Sequence, residues 1–176
     1  MNTRLGMPML LIAGIAQASF ANLLCADEEP SKVLGRFVGK WTTTTTIKKA
    51  ELTSQEATIT GEEKMKWVLK KKFIATTGTY ADGKYKTINL ANYDPETKTY
   101  YFWEFDSDGA FPRGITTGTW DAEKEQFTIS GTYPAGLRGE GYRKFTNKDR
   151  IEWAFTVTSE DGTVMMDMSG VETRKQ

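Results

Sequence analysis

The chain has no histidine in its 176 residues and a single cysteine, Cys25. The first absence excludes Ser-His-Asp triads, imidazole proton shuttles, histidine haem ligands and His-rich zinc sites. Basic and acidic residues balance at 23 each, so no charge excess draws the chain to nucleic acid. No helical hydrophobic period of any length runs through it. Whatever chemistry it performs must rest on carboxylates, Lys, Tyr, Ser, Thr or a bound molecule.

The N-terminus reads as an export signal over residues 1–26. Arg4 supplies the positive region, and Met9 to Leu24 form an apolar stretch broken only by Gly14, Gln17, Ser19 and Asn22. That stretch is shorter than a spanning helix and ends in Asp27-Glu28-Glu29, which favours cleavage over a retained anchor. Cleavage is expected after Ala26, with Ala18 and Ala21 ending rival small-residue sites. Acylation at Cys25 is disfavoured by the bulky Leu24 before it. The mature chain is expected in the periplasm or outside the cell, without a membrane anchor. It would keep 22 basic residues against 23 acidic ones and no cysteine, so its core alone must hold it. About 150 residues suffice for that.

What is present is a rhythm of short alternating segments closed by turn signals. Turns fall at Ala81-Asp82-Gly83, Asp94-Pro95-Glu96-Thr97, Asp106-Ser107-Asp108-Gly109, Asp121-Ala122-Glu123-Lys124, Asn147-Lys148-Asp149 and Ser159-Glu160-Asp161-Gly162. Between them lie runs of Thr, Ile, Val and aromatic residues at strand spacing. Thr42 to Thr46 favour an extended strand through their branched side chains. Met65 and Trp67 alternate with lysines, and Ile151, Trp153, Phe155 and Val157 alternate with Glu152, Ala154 and Thr156. In Tyr100 to Phe105 both faces are aromatic. Residues 27–36 read as a linker with a turn of helix or a loop, where Val33, Leu34 and Phe37 first dock on a core.

About ten strands follow in a row over residues 37–176. A meander of that kind must protect its edges, and closing into an up-and-down barrel does so. The competing architecture is an immunoglobulin-like sandwich, which no Cys-Trp-Cys pattern supports.

Gly39-Lys40-Trp41 on the first strand resembles the Gly-x-Trp signature of calycin barrels, the group of lipocalins and fatty-acid-binding proteins. Leu34-Gly35-Arg36-Phe37-Val38-Gly39-Lys40-Trp41, Tyr93-Asp94-Pro95-Glu96-Thr97-Lys98-Thr99-Tyr100 and Trp103-Glu104-Phe105-Asp106-Ser107-Asp108-Gly109 are similar in order and spacing to the bacterial domain-of-unknown-function 1579 family. The resemblance implies a calycin-like barrel, secreted or cytoplasmic, with no established activity. It also implies that Arg174 packs over Trp41 beside Gly39 and closes one end. Nitrobindin-like relatives of such barrels bind haem through a histidine, which this chain does not have.

Several sharper patterns fail on their own chemistry. Glu104, Asp106, Asp108 and Gly109 imitate a calcium loop, but Ile115 stands where a bidentate Glu is required. Met165 faces away from Met166 and Met168 on a strand, so three sulfurs do not converge on a soft metal. No catalytic constellation, metal site or cofactor is expected. The candidate ligand-binding residues are the aromatics Trp67, Trp103, Phe127, Trp153 and Phe155, which either line a pocket or fill the barrel. With them stand the polar residues Glu104, Arg143, Asp167 and Arg113, suited to orienting a ligand's polar end. The leading expectation is a barrel that binds a small apolar or amphipathic molecule. The alternatives are a small enzyme using Glu104 or Asp167 as acid or base, and an envelope scaffold using the segment Tyr100 to Phe105.

Overall fold

A computed structural model describes residues 28–109 and 115–176; the expected signal segment, Cys25 and Arg113 lie outside the described residues. A short helix, α1 (Pro30–Gly35), precedes ten antiparallel strands: β1 (Gly39–Ile47), β2 (Ala57–Val68), β3 (Phe73–Tyr80), β4 (Tyr85–Asp94), β5 (Thr99–Asp106), β6 (Ile115–Asp121), β7 (Gln126–Thr132), β8 (Arg138–Asn147), β9 (Arg150–Thr158) and β10 (Val164–Arg174). Each strand pairs with its sequence neighbours, and β10 returns to β1 from Trp41↔Arg174 to Ile47↔Met168. The sheet is thus a closed up-and-down barrel, and the sandwich is ruled out.

The barrel has one solid end. Pro30 opens α1, where its missing N–H costs nothing, and the helix drops Val33 and Leu34 into the interior. Phe37, Trp41, Met65, Tyr100, Phe127, Phe145 and Ile151 pack with them as one core. Phe127 is central, with the rings of Tyr100 and Trp120 4.8 Å away, that of Phe37 5.9 Å away and that of Phe102 6.0 Å away.

Arg174 locks this end. Its guanidinium lies 4.1 Å from the Trp41 ring centroid and donates to the carbonyls of Val38 and Arg36. Trp41 Nε1 donates to the Phe37 carbonyl at 2.8 Å. Gly39 makes the approach possible: its φ is +147°, and a Cβ there would stand 2.5 Å from Arg174 Nη1.

Candidate functional site: a two-sided cavity in the barrel

Above the solid core the lumen opens into a cavity of about 690 Å³. Its floor is an ion pair. Arg143 Nη2 donates to Glu172 Oε2 at 2.5 Å, and the guanidinium sits 4.6 Å from the Phe37 ring centroid, resting on the core below. Among the described residues its Nε has no hydrogen-bond partner.

The walls differ by side. β9 and β10 contribute Trp153, Phe155, Met166 and Met168, and β1 and β2 add Ile47 and Ile59 beside the polar Thr43, Thr45 and Glu63. The opposite strands, β3 to β5, contribute Thr76, Tyr80, Tyr85, Thr87, Asn89 and Glu104. Strand alternation produces this split: cross-strand partners such as Phe155↔Met168 and Asn89↔Glu104 put like residues side by side on the inner face.

The lumen stays open because its largest side chains lie flat. A Cβ on Gly170 would stand 2.6 Å from the Trp153 indole, and one on Gly78 would stand 2.5 Å from the Tyr80 hydroxyl. Phe155 covers Gly139 and Gly141 in the same way. Glycine on one strand lets a neighbouring ring press on the backbone instead of pointing at the barrel axis.

Three carboxylates reach this space. Glu63 accepts a hydrogen bond from Tyr80 Oη at 2.5 Å. Glu104 is enclosed by protein yet retains accessible surface, because the space before it is open. In the amide orientation that satisfies both of its polar atoms, Asn89 donates to Glu104 Oε2 at 3.2 Å. Burial pushes the Glu104 carboxyl up, and the charges of Asp106 and Glu63 push the same way. Burial also raises the hydroxyls of Tyr80 and Tyr85, that of Tyr85 to about 12, so both stay protonated donors.

A family model described as Protein of unknown function (DUF1579) matches residues 27–174. The chain belongs to the DUF1579 family. No curated protein matches it. Among solved structures, the DUF1579 chain is similar to the S-type phycobiliprotein lyase CPES from Guillardia theta, at 13% identity and a TM-score of 0.57, over 82% of this chain and 92% of that one. It is also similar to Rv2717c from M. tuberculosis, at 14% identity and a TM-score of 0.62, over 84% of this chain and 99% of that one. At these identities the likeness is one of fold.

The expected site residues of the DUF1579 barrel divide into three groups. Glu104, Arg143, Trp153 and Phe155 border the cavity. Phe127 and Trp67 belong to the solid end instead: Phe127 is fully buried, and Trp67 packs on the core near Gly35. Trp103 and Asp167 are corrected to the outer face. The register Tyr93↔Tyr100, Ala91↔Phe102, Asn89↔Glu104 turns the even-numbered residues of β5 inward, so Trp103 stacks outside with Tyr101 and meets Phe73. With Met166 and Met168 inside, Asp167 must point out, where it pairs with Lys48 at 2.8 Å. Sequence reasoning missed Glu63, Tyr80 and Glu172. Their signal was parity, since Glu63 shares a face with Met65, and Glu172 with Arg174.

Asp106 and Asp108 form a turn, with the Asp108 amide donating to Asp106 Oδ1. A wider concavity of about 820 Å³ runs over β1 to β3, bordered by exposed Lys40, Thr42, Thr44, Glu62 and Lys64. It is polar and open, and encloses nothing.

The floor carboxylate gives the fold a pH dependence. Burial pushes Glu172 up to about 7, with Arg143 pulling down and Glu63 adding to the rise. A carboxyl with a raised folded pKa contributes stability that is full below its unfolded value and lost as pH rises through its folded value. The melting temperature is therefore expected to fall between about pH 5 and about pH 7.5, and Glu172→Gln to flatten that slope. A slope unchanged in the variant, measured by circular dichroism melts, would assign the effect elsewhere. The carboxyl of Asp161, held near 2 first by the Ser159 hydroxyl, acts in a separate and more acidic window.

Proposed function

We propose that this protein is an exported, non-enzymatic barrel that holds a small, partly apolar molecule in its lumen. The cavity carries the reading: about 690 Å³ with an apolar wall facing a polar one, within the 300–1,000 Å³ range of small-molecule sites. Export rests on the apolar N-terminal stretch and Arg4.

The test uses N-phenyl-1-naphthylamine, whose fluorescence rises in apolar surroundings. The full chain is expected to bind it, and Gly170→Val to weaken binding by about tenfold by driving Trp153 off the wall into the lumen. No fluorescence rise with the unaltered protein would sink the proposal.

One observation favours a second reading. Glu104 combines a raised pKa with an accessible cavity, as a general acid or base requires. Asp167 drops out of that reading because it faces outward.

A further inference from the structure

The carboxylates of the cavity are poorly compensated. Glu63, Glu104 and Glu172 face it with Arg143 as their partner cation, which is bonded to Glu172 and attracted by the charge of Glu63 as well. Among the described residues, neither Glu63 nor Glu104 has an ion-pair partner; each has one neutral donor, Tyr80 and Asn89 respectively. Their charges oppose one another, since Glu63 disfavours ionisation of both Glu104 and Glu172. Such repulsion in an enclosed space is relieved by a proton or by a bound cation.

The form of that cation follows from the spacing and the walls. Among the described residues no three acidic groups converge closely enough to hold a metal ion. Beside the carboxylates stand the rings of Tyr80 and Tyr85, with centroids 6.1 Å apart and planes inclined by 49°, a surface suited to an organic ammonium. Across the lumen stand Trp153, Phe155, Met166 and Met168, which accept an apolar body and carry no carboxylate.

We infer that the cavity takes an amphipathic organic cation, a primary or secondary amine on an aromatic or aliphatic body, with its ammonium between Glu63 and Glu104 and its body against the β9–β10 wall. This rests on the binding reading above and adds the class of ligand. An ammonium makes charge-assisted hydrogen bonds to both carboxylates, which a neutral hydroxyl makes more weakly and a carboxylate cannot make. An anion of the same shape meets repulsion at that spot.

Three probes with one naphthalene body separate the contributions: 2-(1-naphthyl)ethylamine, 2-(1-naphthyl)ethanol and 1-naphthylacetate, titrated by calorimetry at one ionic strength. The amine is expected to bind about tenfold tighter than the alcohol, and the acetate at least about tenfold more weakly than the alcohol. Glu104→Gln and the double variant with Glu63→Gln are expected to bring the amine's affinity down to that of the alcohol. Equal binding of amine and alcohol overturns this inference and leaves the binding barrel standing. No binding of any of the three overturns the barrel reading itself. A preference for the amine that survives both variants overturns the assignment to these carboxylates.

Discussion

Replacing Arg143 by methionine is expected to destabilise the protein by about 3 kcal/mol in urea denaturation at neutral pH. The guanidinium is the floor of the cavity and the partner of Glu172, a residue only 3% exposed. Methionine fills most of the volume over Phe37 but leaves Glu172 buried without its partner, so that it must take up a proton to stay there. Breaking a buried pair from one side costs about 3–5 kcal/mol, and the lower end applies because Arg143 borders open space, at 24% side-chain exposure. Removing both charges is another matter. Arg143→Met with Glu172→Met is expected to recover most of the loss, since apolar residues that fill the same space often match a buried pair. A single variant within about 1 kcal/mol of the unaltered protein would show that the pair is not desolvated as described.

A loss of similar size, about 3–5 kcal/mol, is expected for Phe127→Ala, with a fall of roughly 10 °C in melting temperature. Phe127 has no exposed surface and touches four aromatic rings and a buried shell from α1, so the vacated space cannot collapse. Trp103→Ala is the control. Its ring lies on the outer wall against Tyr101 and Phe73, and its removal is expected to cost about 1 kcal/mol. Comparable losses at the two positions would contradict the parity of β5.

That parity marks the line between what was legible in the chain and what was not. Strand positions were legible because turn residues and alternation are local. The closure of Trp41 by Arg174 beside Gly39 followed from the resemblance to calycin barrels, whereas the place of Phe127 and Trp67 in that solid end did not. The inner face of β5 was not, because Tyr100 to Phe105 is aromatic on both sides and only its pairing with β4 separates Glu104 from Trp103. The cavity was illegible for a further reason. Trp153 and Phe155 suggest a filled lumen until glycines on adjacent strands let them lie flat, and that adjacency is a property of register. Asp167 is the exception: its face followed from Met166 and Met168, and its exterior pairing with Lys48 agrees.

The β1–β10 seam governs how the chain reaches this state. Trp41 and Arg174 stand 133 positions apart and are adjacent in the barrel, as are Ile47 and Met168. Nine of the strand pairings are between neighbours in the sequence and can form as the chain is made; the tenth joins the first strand to the last. Closing so long a loop is entropically slow, and until it happens both β1 and β10 carry an unpaired edge. The barrel therefore remains an open sheet until β10 is available to pair, and loss of that strand alone would leave an exposed edge on each side.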